Sequence, residues 1–154
     1  MTATTMNKEF SNFCARRDAQ NTIQLNVIKH TWELCEALRQ NFIDYSIRQH
    51  ERSLDTYRDE GGIKHHQEAI AKLKEGICDY DFTFESGKKY HKIIMSANGS
   101  RSVHAFVDKT TGEVYKSASF KSPAKGVRYD LRIIEQREWL LENADWSGSY
   151  LYAR

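Results

Sequence analysis

Nine Lys and Arg side chains lie among aromatic residues in the stretch from Lys88 to Arg128. The same stretch contains two acids, Asp108 and Glu113, so its net charge is +7. The flanking parts sum to −3 and −2, which reduces the net charge of the whole chain to +2. Cations beside aromatic rings are typical of surfaces that bind nucleic acid, because the cations meet phosphates and the rings stack on bases.

The candidate contacts divide by chemistry into phosphate-binding cations and base-stacking rings. The cations are Lys88, Lys89, Lys92, Arg101, Lys116, Lys121, Lys125 and Arg128. The rings are Tyr90, Phe106 and Tyr115. In the alternative interpretation the rings are core residues and the lysines form a solvated face, and the pattern of the strands does not decide which face is buried.

Three of the cations, Lys121, Lys125 and Arg128, lie in an irregular loop just before a predicted helix. Backbone N–H groups at a helix N-terminus favour anions, so this loop is a second candidate for phosphate contact. The loop lacks the Gly-x4-Gly-Lys-Ser/Thr order of a nucleotide-binding P-loop. A plain solvated turn is the alternative.

The sequence shows no pattern typical of a catalytic nucleophile or a metal site. The three cysteines, Cys14, Cys35 and Cys78, are widely spaced and form no CxxC pair, so reduced thiols are expected. His65 and His66 are adjacent and point to different sides of a helix, which disfavours chelation. We therefore expect no enzyme activity, no cofactor and no metal.

Four strands joined by short turns are predicted to hold the basic segment. Aromatic and polar residues alternate over 80–85, and further strands are predicted over 90–97, 102–107 and 113–120. An Asn-Gly pair at 98–99 is a strong hairpin signal. Because the connections are short, the strands should form an antiparallel meander.

Helices are predicted before and after these strands in the chain. Apolar residues recur at helical spacing over 21–50, and a charged hinge at 51–62 precedes a second helix over 63–77. A first helix of roughly 30 residues would be about 45 Å long, more than one sheet needs. It either breaks near Asn41 or packs its far end on a second subunit, which would give a homodimer through the 21–50 helix. A final helix is predicted over 131–144, followed by an aromatic tail that docks on the domain.

The element order predicts the α+β class: N-terminal helices, a four-stranded antiparallel meander and a C-terminal helix packed on one sheet face. We expect residues 1–154 to form one domain, with 1–20 loose, 21–78 helical and 79–154 forming the sheet and the last helix. No apolar run reaches the roughly 18 residues of a membrane span, and the chain does not begin with a signal-peptide pattern. A soluble cytoplasmic protein without a membrane partner is therefore expected.

Part of the chain resembles a known family. Residues 90–154 include the stretches VHAFVDKTTGEVYK and SFKSPAKGVRYDL. In these stretches the chain resembles a family of small uncharacterised proteins from tailed bacteriophages and phage-rich metagenomes. The resemblance implies a setting, the cytoplasm of a phage-infected bacterium, and it implies no activity and no functional residue.

Two functional hypotheses follow. The first is a phage accessory protein that binds nucleic acid, with single strands preferred, through the basic sheet and the 121–128 loop. The second is a protein-interaction module that binds a host or phage protein and has no nucleic-acid role. The long helix and the aromatic tail motivate it, because both can make large apolar contacts. The choice between DNA and RNA, the partner and the oligomeric state stay open.

Overall fold

The computed structural model describes residues 3–56 and 59–152, with side chains from residue 7 onwards. Within these ranges the helices are α1 (Ala3–Thr56), α2 (Glu60–Lys74) and α3 (Ile134–Asn143), and a 3-10 turn spans Ser149–Leu151. The strands are β1 (Tyr80–Ser86), β2 (Tyr90–Ala97), β3 (Ser100–Asp108), β4 (Glu113–Lys116) and β5 (Tyr129–Asp130). The α+β class is as predicted.

The sheet is an antiparallel meander in which each strand pairs with the next, in the order β1-β2-β3-β4-β5. The four predicted strands are present. The fourth ends at Lys116, earlier than the predicted residue 120, because Ala118 N–H bonds Ser122 O and the chain folds back. The short strand β5 is an addition, since two residues give no alternation to detect.

One face of the sheet carries the core, and we call it the inner face. Val27, Leu34 and Leu38 of α1 are fully buried in one cluster with Phe82 and Ile93 of the sheet. Burying apolar side chains of this size contributes about 2 kcal/mol each to stability. Further inner-face core residues come from the C-terminal part, namely Leu131, Leu140, Ala144 and Leu151.

The opposite face of the sheet, the outer face, has a different set of side chains. Its register pairs are Lys92 with Phe106 and Phe106 with Tyr115, and Tyr90 follows on the same side as Lys92. No helix of the described residues contributes a member of the core cluster on this side. The inner face is therefore the one that the helices cover.

A β-bulge interrupts the pairing of β2 with β3. Ile93 lies opposite Ala105, whereas the next residue, Ile94, lies opposite Val103. His104 is therefore the extra residue of the bulge, and its ring reaches Phe82 on the inner face at a centroid distance of 5.4 Å. Bulges redirect single side chains in this way.

Helix α1 is longer than predicted, with 54 residues and a length of about 80 Å. Residues 3–20, which were expected to be loose, are helical, and the helix passes Asn41 without a break. The predicted hinge over 51–62 is helical over 51–56 and 60–62. The reason is that Gly and Pro are missing from 3–56, so nothing in the sequence ends the helix.

The apolar stripe of α1 packs within its own chain. Val27, Leu34 and Leu38 have no exposed surface, and the buried Thr31 hydroxyl donates a 2.7 Å hydrogen bond to Val27 O. The sheet already covers this stripe, and the homodimer through the 21–50 helix stays a prediction. The Asn41 side chain instead accepts a 2.9 Å hydrogen bond from Trp146 N–H.

The other helix ends are set by local hydrogen bonds. Helix α2 begins before the predicted residue 63, because Asp59 caps it by accepting from Gly62 N–H at 2.9 Å. Helix α3 begins at Ile134, later than predicted, because Asp130 belongs to β5 and caps a preceding turn through Arg132 N–H at 2.8 Å.

The aromatic tail docks on the domain, as predicted. The Trp146 ring meets the rings of Phe42 and Tyr80 at 5.3 and 5.9 Å between centroids. Tyr152 is exposed, and residues 153–154 lie outside the described residues. None of the described helices combines the length and apolar character that crossing a membrane requires.

Candidate nucleic-acid interface

A groove of about 310 Å³ opens on the outer face beside the turn between β1 and β2. We call it the basic groove. Its lining residues are Glu85, Ser86, Gly87, Lys88, Lys89, Tyr90, Lys92, Phe106 and Lys121. Six of the residues predicted from sequence are therefore brought together in one place, although they come from the β1–β2 turn, β2, β3 and the loop after β4.

The turn that carries Lys88 and Lys89 is fixed by backbone hydrogen bonds. Gly87 N–H donates to Tyr90 O at 2.9 Å, and Lys109 N–H donates to Lys89 O at 3.0 Å. The Lys109 ammonium donates to Gly87 O at 3.0 Å from the neighbouring strand end. Lys88 and Lys89 are exposed at the turn, so a held backbone presents two cations to solvent.

Aromatic rings hold the other cations at the sheet surface. The Lys92 ammonium lies 4.3 Å from the centroid of Phe120 and 5.8 Å from that of Phe106. The Lys89 ammonium lies 5.3 Å from the centroid of Tyr90, and a hydrogen bond to the Tyr90 side chain raises the pKa of Lys89. Such cation–π contacts limit where the ammonium groups can lie while leaving their charge intact.

The predicted stacking rings differ in their accessibility. Phe106 is 2% exposed, so its ring supports Tyr90, at 5.7 Å between centroids, and has no face open to a base. Its predicted stacking role is therefore wrong. Tyr90 and Tyr115 are half-buried and lie edge to face at 6.1 Å.

Phe120 is the open ring of this region, and sequence reasoning missed it. It is 48% exposed and contacts Lys92 beside the basic groove. The prediction placed Phe120 as the last residue of a strand. The nearby Pro123 was the available signal, because proline favours a turn and a ring just before a turn need not join the sheet.

Two acids of the outer face, Glu85 and Asp108, are engaged by other groups. Glu85, the one acid among the described residues that line the basic groove, forms an ion pair with Arg101. Asp108 accepts hydrogen bonds from Thr110 N–H at 2.9 Å and Thr111 N–H at 3.0 Å. Burial alone would raise the pKa of Asp108, but the hydrogen bonds from Thr110 and Thr111 bring it below its ordinary value. Both carboxylates therefore have partners within the protein.

The remaining predicted cations lie outside the basic groove. Arg101 is paired with Glu85, and Lys125 is exposed in the loop. Lys116 pairs with Ala105 in the register and therefore lies on the inner side, with its ammonium 4.8 Å from the Tyr152 ring centroid.

The Arg128 side chain is held by hydrogen bonds to backbone carbonyl groups. Its Nε donates to Leu151 O at 2.7 Å, and its Nη1 donates to Gly126 O at 3.0 Å and Lys125 O at 3.2 Å. The guanidinium thus ties the loop to the C-terminal tail. The loop ends before α3 begins at Ile134, so it does not lie directly at that helix N-terminus, and its contact with phosphate stays a prediction.

A second polar cluster lies on the inner face, where His104 Nε2 and the Tyr150 hydroxyl are 2.7 Å apart. Burial lowers the pKa of His104 to about 4 and raises that of Tyr150, so both groups are neutral near pH 7. The nearby Asp145 accepts hydrogen bonds from the Ser147 N–H and hydroxyl. This arrangement satisfies buried polar groups; sequence reasoning missed it because His104 and Tyr150 are far apart in the chain.

The cysteines and histidines of the described residues do not assemble a metal centre. Across 3–56 and 59–152, no group of three or more His, Cys, Asp or Glu side chains is arranged to hold an ion. Cys14, Cys35 and Cys78 are free thiols. Burial raises the pKa of Cys35 to about 12, which makes its thiol a poor nucleophile.

Comparison with known proteins gives one match. A family model described as a family of unknown function (DUF7717) matches residues 10–153, and the chain therefore belongs to that family. The match shows an uncharacterised family over more of the chain than the predicted 90–154, and the phage origin stays a prediction. No curated protein and no solved structure matches the chain.

Proposed function

We propose that this member of the DUF7717 family binds single-stranded nucleic acid through the basic groove. One observation carries the proposal: Lys88, Lys89, Lys92 and Lys121 line one open groove, and its acid Glu85 is already paired. Lysines that converge on a groove bind a polyanion because each neutralised phosphate releases counterions.

The shape of the basic groove favours a single strand over a duplex. A volume of about 310 Å³, lined by Lys88, Lys89 and Lys121 among others, is too small to enclose a duplex. Phe120 offers an exposed ring beside Lys92. Stacking on such a ring requires an unpaired base.

The proposed site is smaller than the sequence prediction. It keeps Tyr90 and Tyr115 as flanking rings and adds Phe120. Arg128 and Lys116 are not assigned to it, because one holds the tail and the other lies on the inner side. Lys125 lies beyond the lining of the groove, so any contribution from it is long-range.

Binding is tested by fluorescence anisotropy with a labelled oligothymidine and a duplex of equal length. Four contacts on a single strand predict a log–log salt slope of about −3, and the duplex should bind more weakly. Phe120→Ala should weaken binding by about 1–3 kcal/mol with the slope unchanged. Tyr152→Ala is the matched control, since Tyr152 is also an exposed ring beside a lysine. Equal losses for both variants would contradict stacking on Phe120.

The setting we propose is the cytoplasm of a phage-infected bacterium. It rests on the resemblance of residues 90–154 to phage proteins, and the free thiols of Cys14, Cys35 and Cys78 agree with a reducing compartment. Mass spectrometry of infected and uninfected host cultures tests this setting. Detection of the chain in uninfected cells that carry no prophage would contradict it.

A protein-interaction role is the second candidate, and one observation favours it. The side chains of residues 7–22 are exposed except for that of Cys14, which is partly covered. The aromatic tail no longer supports this role, because Trp146 and Tyr150 pack within the chain. A pull-down after nuclease treatment separates the two candidates, since a partner held by nucleic acid is then lost.

A further inference from the structure

The first part of α1 extends beyond the rest of the molecule. We call residues 3–22 the N-terminal arm. The core cluster begins at Ile23, which packs against it, and the described side chains before Ile23 are exposed except for Cys14. The N-terminal arm is about 30 Å long.

The composition of the N-terminal arm does not favour an isolated helix. It contains Asn, Ser and Thr residues, and its first turn lacks the acidic residue that would complement the helix dipole. Phe10 and Phe13 are 68% and 50% exposed. Helices of this kind are marginal in water without packing of an apolar face, so these two rings call for a partner surface.

Phe13 lies near the side of α1 that packs on the sheet, but the polar residues Arg16, Arg17 and Gln20 separate it from the apolar stripe. Leu34, Val27 and Phe13 are separated by seven and then fourteen residues, which is one and two heptads. Phe10 lies three residues before Phe13, on the neighbouring part of the same side. The sheet covers the stripe at Val27 and Leu34 but does not reach Phe13.

The charges of the N-terminal arm identify a second copy of the chain as the partner. If two arms pair antiparallel about Phe13, Glu9 faces Arg17, and two-fold symmetry repeats that pair. A parallel pair would instead place each charge opposite itself, which costs free energy.

The length of the N-terminal arm fits the same arrangement. With Phe13 at the centre, residue 3 of one copy lies beside residue 23 of the other, where the core cluster begins. The overlap therefore uses the whole N-terminal arm and keeps the two domains at opposite ends. We propose that the chain forms an antiparallel homodimer through its N-terminal arms.

Sedimentation equilibrium of the full chain tests the dimer. The expected result is twice the monomer mass of 18.0 kDa at micromolar concentration. The double variant Phe10→Asp with Phe13→Asp should be monomeric, and its thermal midpoint for the domain should be unchanged because both rings are exposed. A monomeric wild-type chain, or a double variant that still dimerises, would overturn the proposal.

A charge exchange tests the antiparallel register. Glu9→Arg should raise the dimer dissociation constant about tenfold, because it creates two repulsive pairs. Adding Arg17→Glu to that variant should restore the wild-type constant, since each pair is rebuilt with its signs exchanged. Failure of the restoration would overturn the register. If the amides of the N-terminal arm become protected from hydrogen exchange only after a foreign protein is added, self-association would be overturned.

Discussion

The two faces of the sheet differ in how they engage their polar groups. On the inner face, His104 bonds the Tyr150 hydroxyl and Arg128 bonds backbone carbonyls of the loop and the tail. On the outer face, Lys89 and Lys92 lie over rings with their ammonium groups beside an open groove. A basic residue thus indicates binding only when the fold leaves its charge directed at solvent, and the net charge of a segment does not reveal this.

The largest contrast between the faces is expected in stability. Leu34→Ala removes a side chain with no exposed surface from the core cluster, and it should lower the free energy of unfolding by about 3 kcal/mol. Phe120→Ala on the outer side should change it by less than about 0.5 kcal/mol. Urea denaturation of both variants measures the difference, and similar losses would show that the outer ring is also part of the core.

Lowering the pH should reduce the free energy of unfolding through the buried His104 of the inner face. Its pKa is about 4 in the folded chain and 6.5 ordinarily, so below pH 6.5 the unfolded state binds a proton that the folded state does not. The free energy of unfolding should therefore be greatest above pH 6.5 and fall by up to about 3 kcal/mol as the pH approaches 4. Urea midpoints from pH 7.5 to 4.5 check this slope.

The variant His104→Gln serves as the control for that pH dependence. It should be less stable at pH 7.5 but show a smaller slope, while the lowered pKa values of His50 and His91 preserve a residual slope. An unchanged slope in this variant would assign the pH dependence to those other histidines.

Arg128 distinguishes a structural cation from a binding cation. Arg128→Gln loses the hydrogen bond to Leu151 O and should lower the free energy of unfolding by about 1–2 kcal/mol, with little change in the salt slope of nucleic-acid binding. Lys125→Gln, three residues away in the same loop, should leave stability unchanged. If Arg128→Gln has normal stability but no longer binds nucleic acid, Arg128 is a binding residue and not a structural one.

A smaller effect separates Lys121 from Lys125. Lys121 lines the basic groove and Lys125 does not, although both are exposed in one loop. Lys121→Ala should reduce the magnitude of the salt slope by about 0.7, whereas Lys125→Ala should change it by less than half as much. Anisotropy titrations between 50 and 300 mM salt measure both slopes. Equal slopes for the two variants would show that the bound nucleic acid does not contact Lys121.

The elements of the fold could be predicted because each depends on local pattern. The alternation at Tyr80, Phe82 and Phe84 identified β1, and the Asn-Gly turn after Ala97 identified the next hairpin. The length of α1 was underestimated because polar residues gave no periodicity before Asn21, even though nothing there ends a helix.

The candidate site was predictable only in part, because its remaining features depend on contacts between distant residues. The lysines of the β1–β2 turn follow from the hairpin. The burial of Phe106 and the exposure of Phe120 depend on which face α1 covers and on where β4 ends. The role of Arg128 depends on Leu151, which lies in another segment.

The most direct test of the central claim compares two variants with the same loss of charge. One replaces the groove residues Lys88, Lys89, Lys92 and Lys121 by Gln, and the other replaces the exposed Lys29, Lys64, Lys72 and Lys74 of α1 and α2 by Gln. Binding of both to a labelled oligothymidine is titrated against salt. The groove variant should lose the salt-dependent binding and its slope of about −3, while the helix variant should keep both. Equal weakening of the two variants, or a groove variant that binds like the wild-type chain, would contradict the assignment of the basic groove.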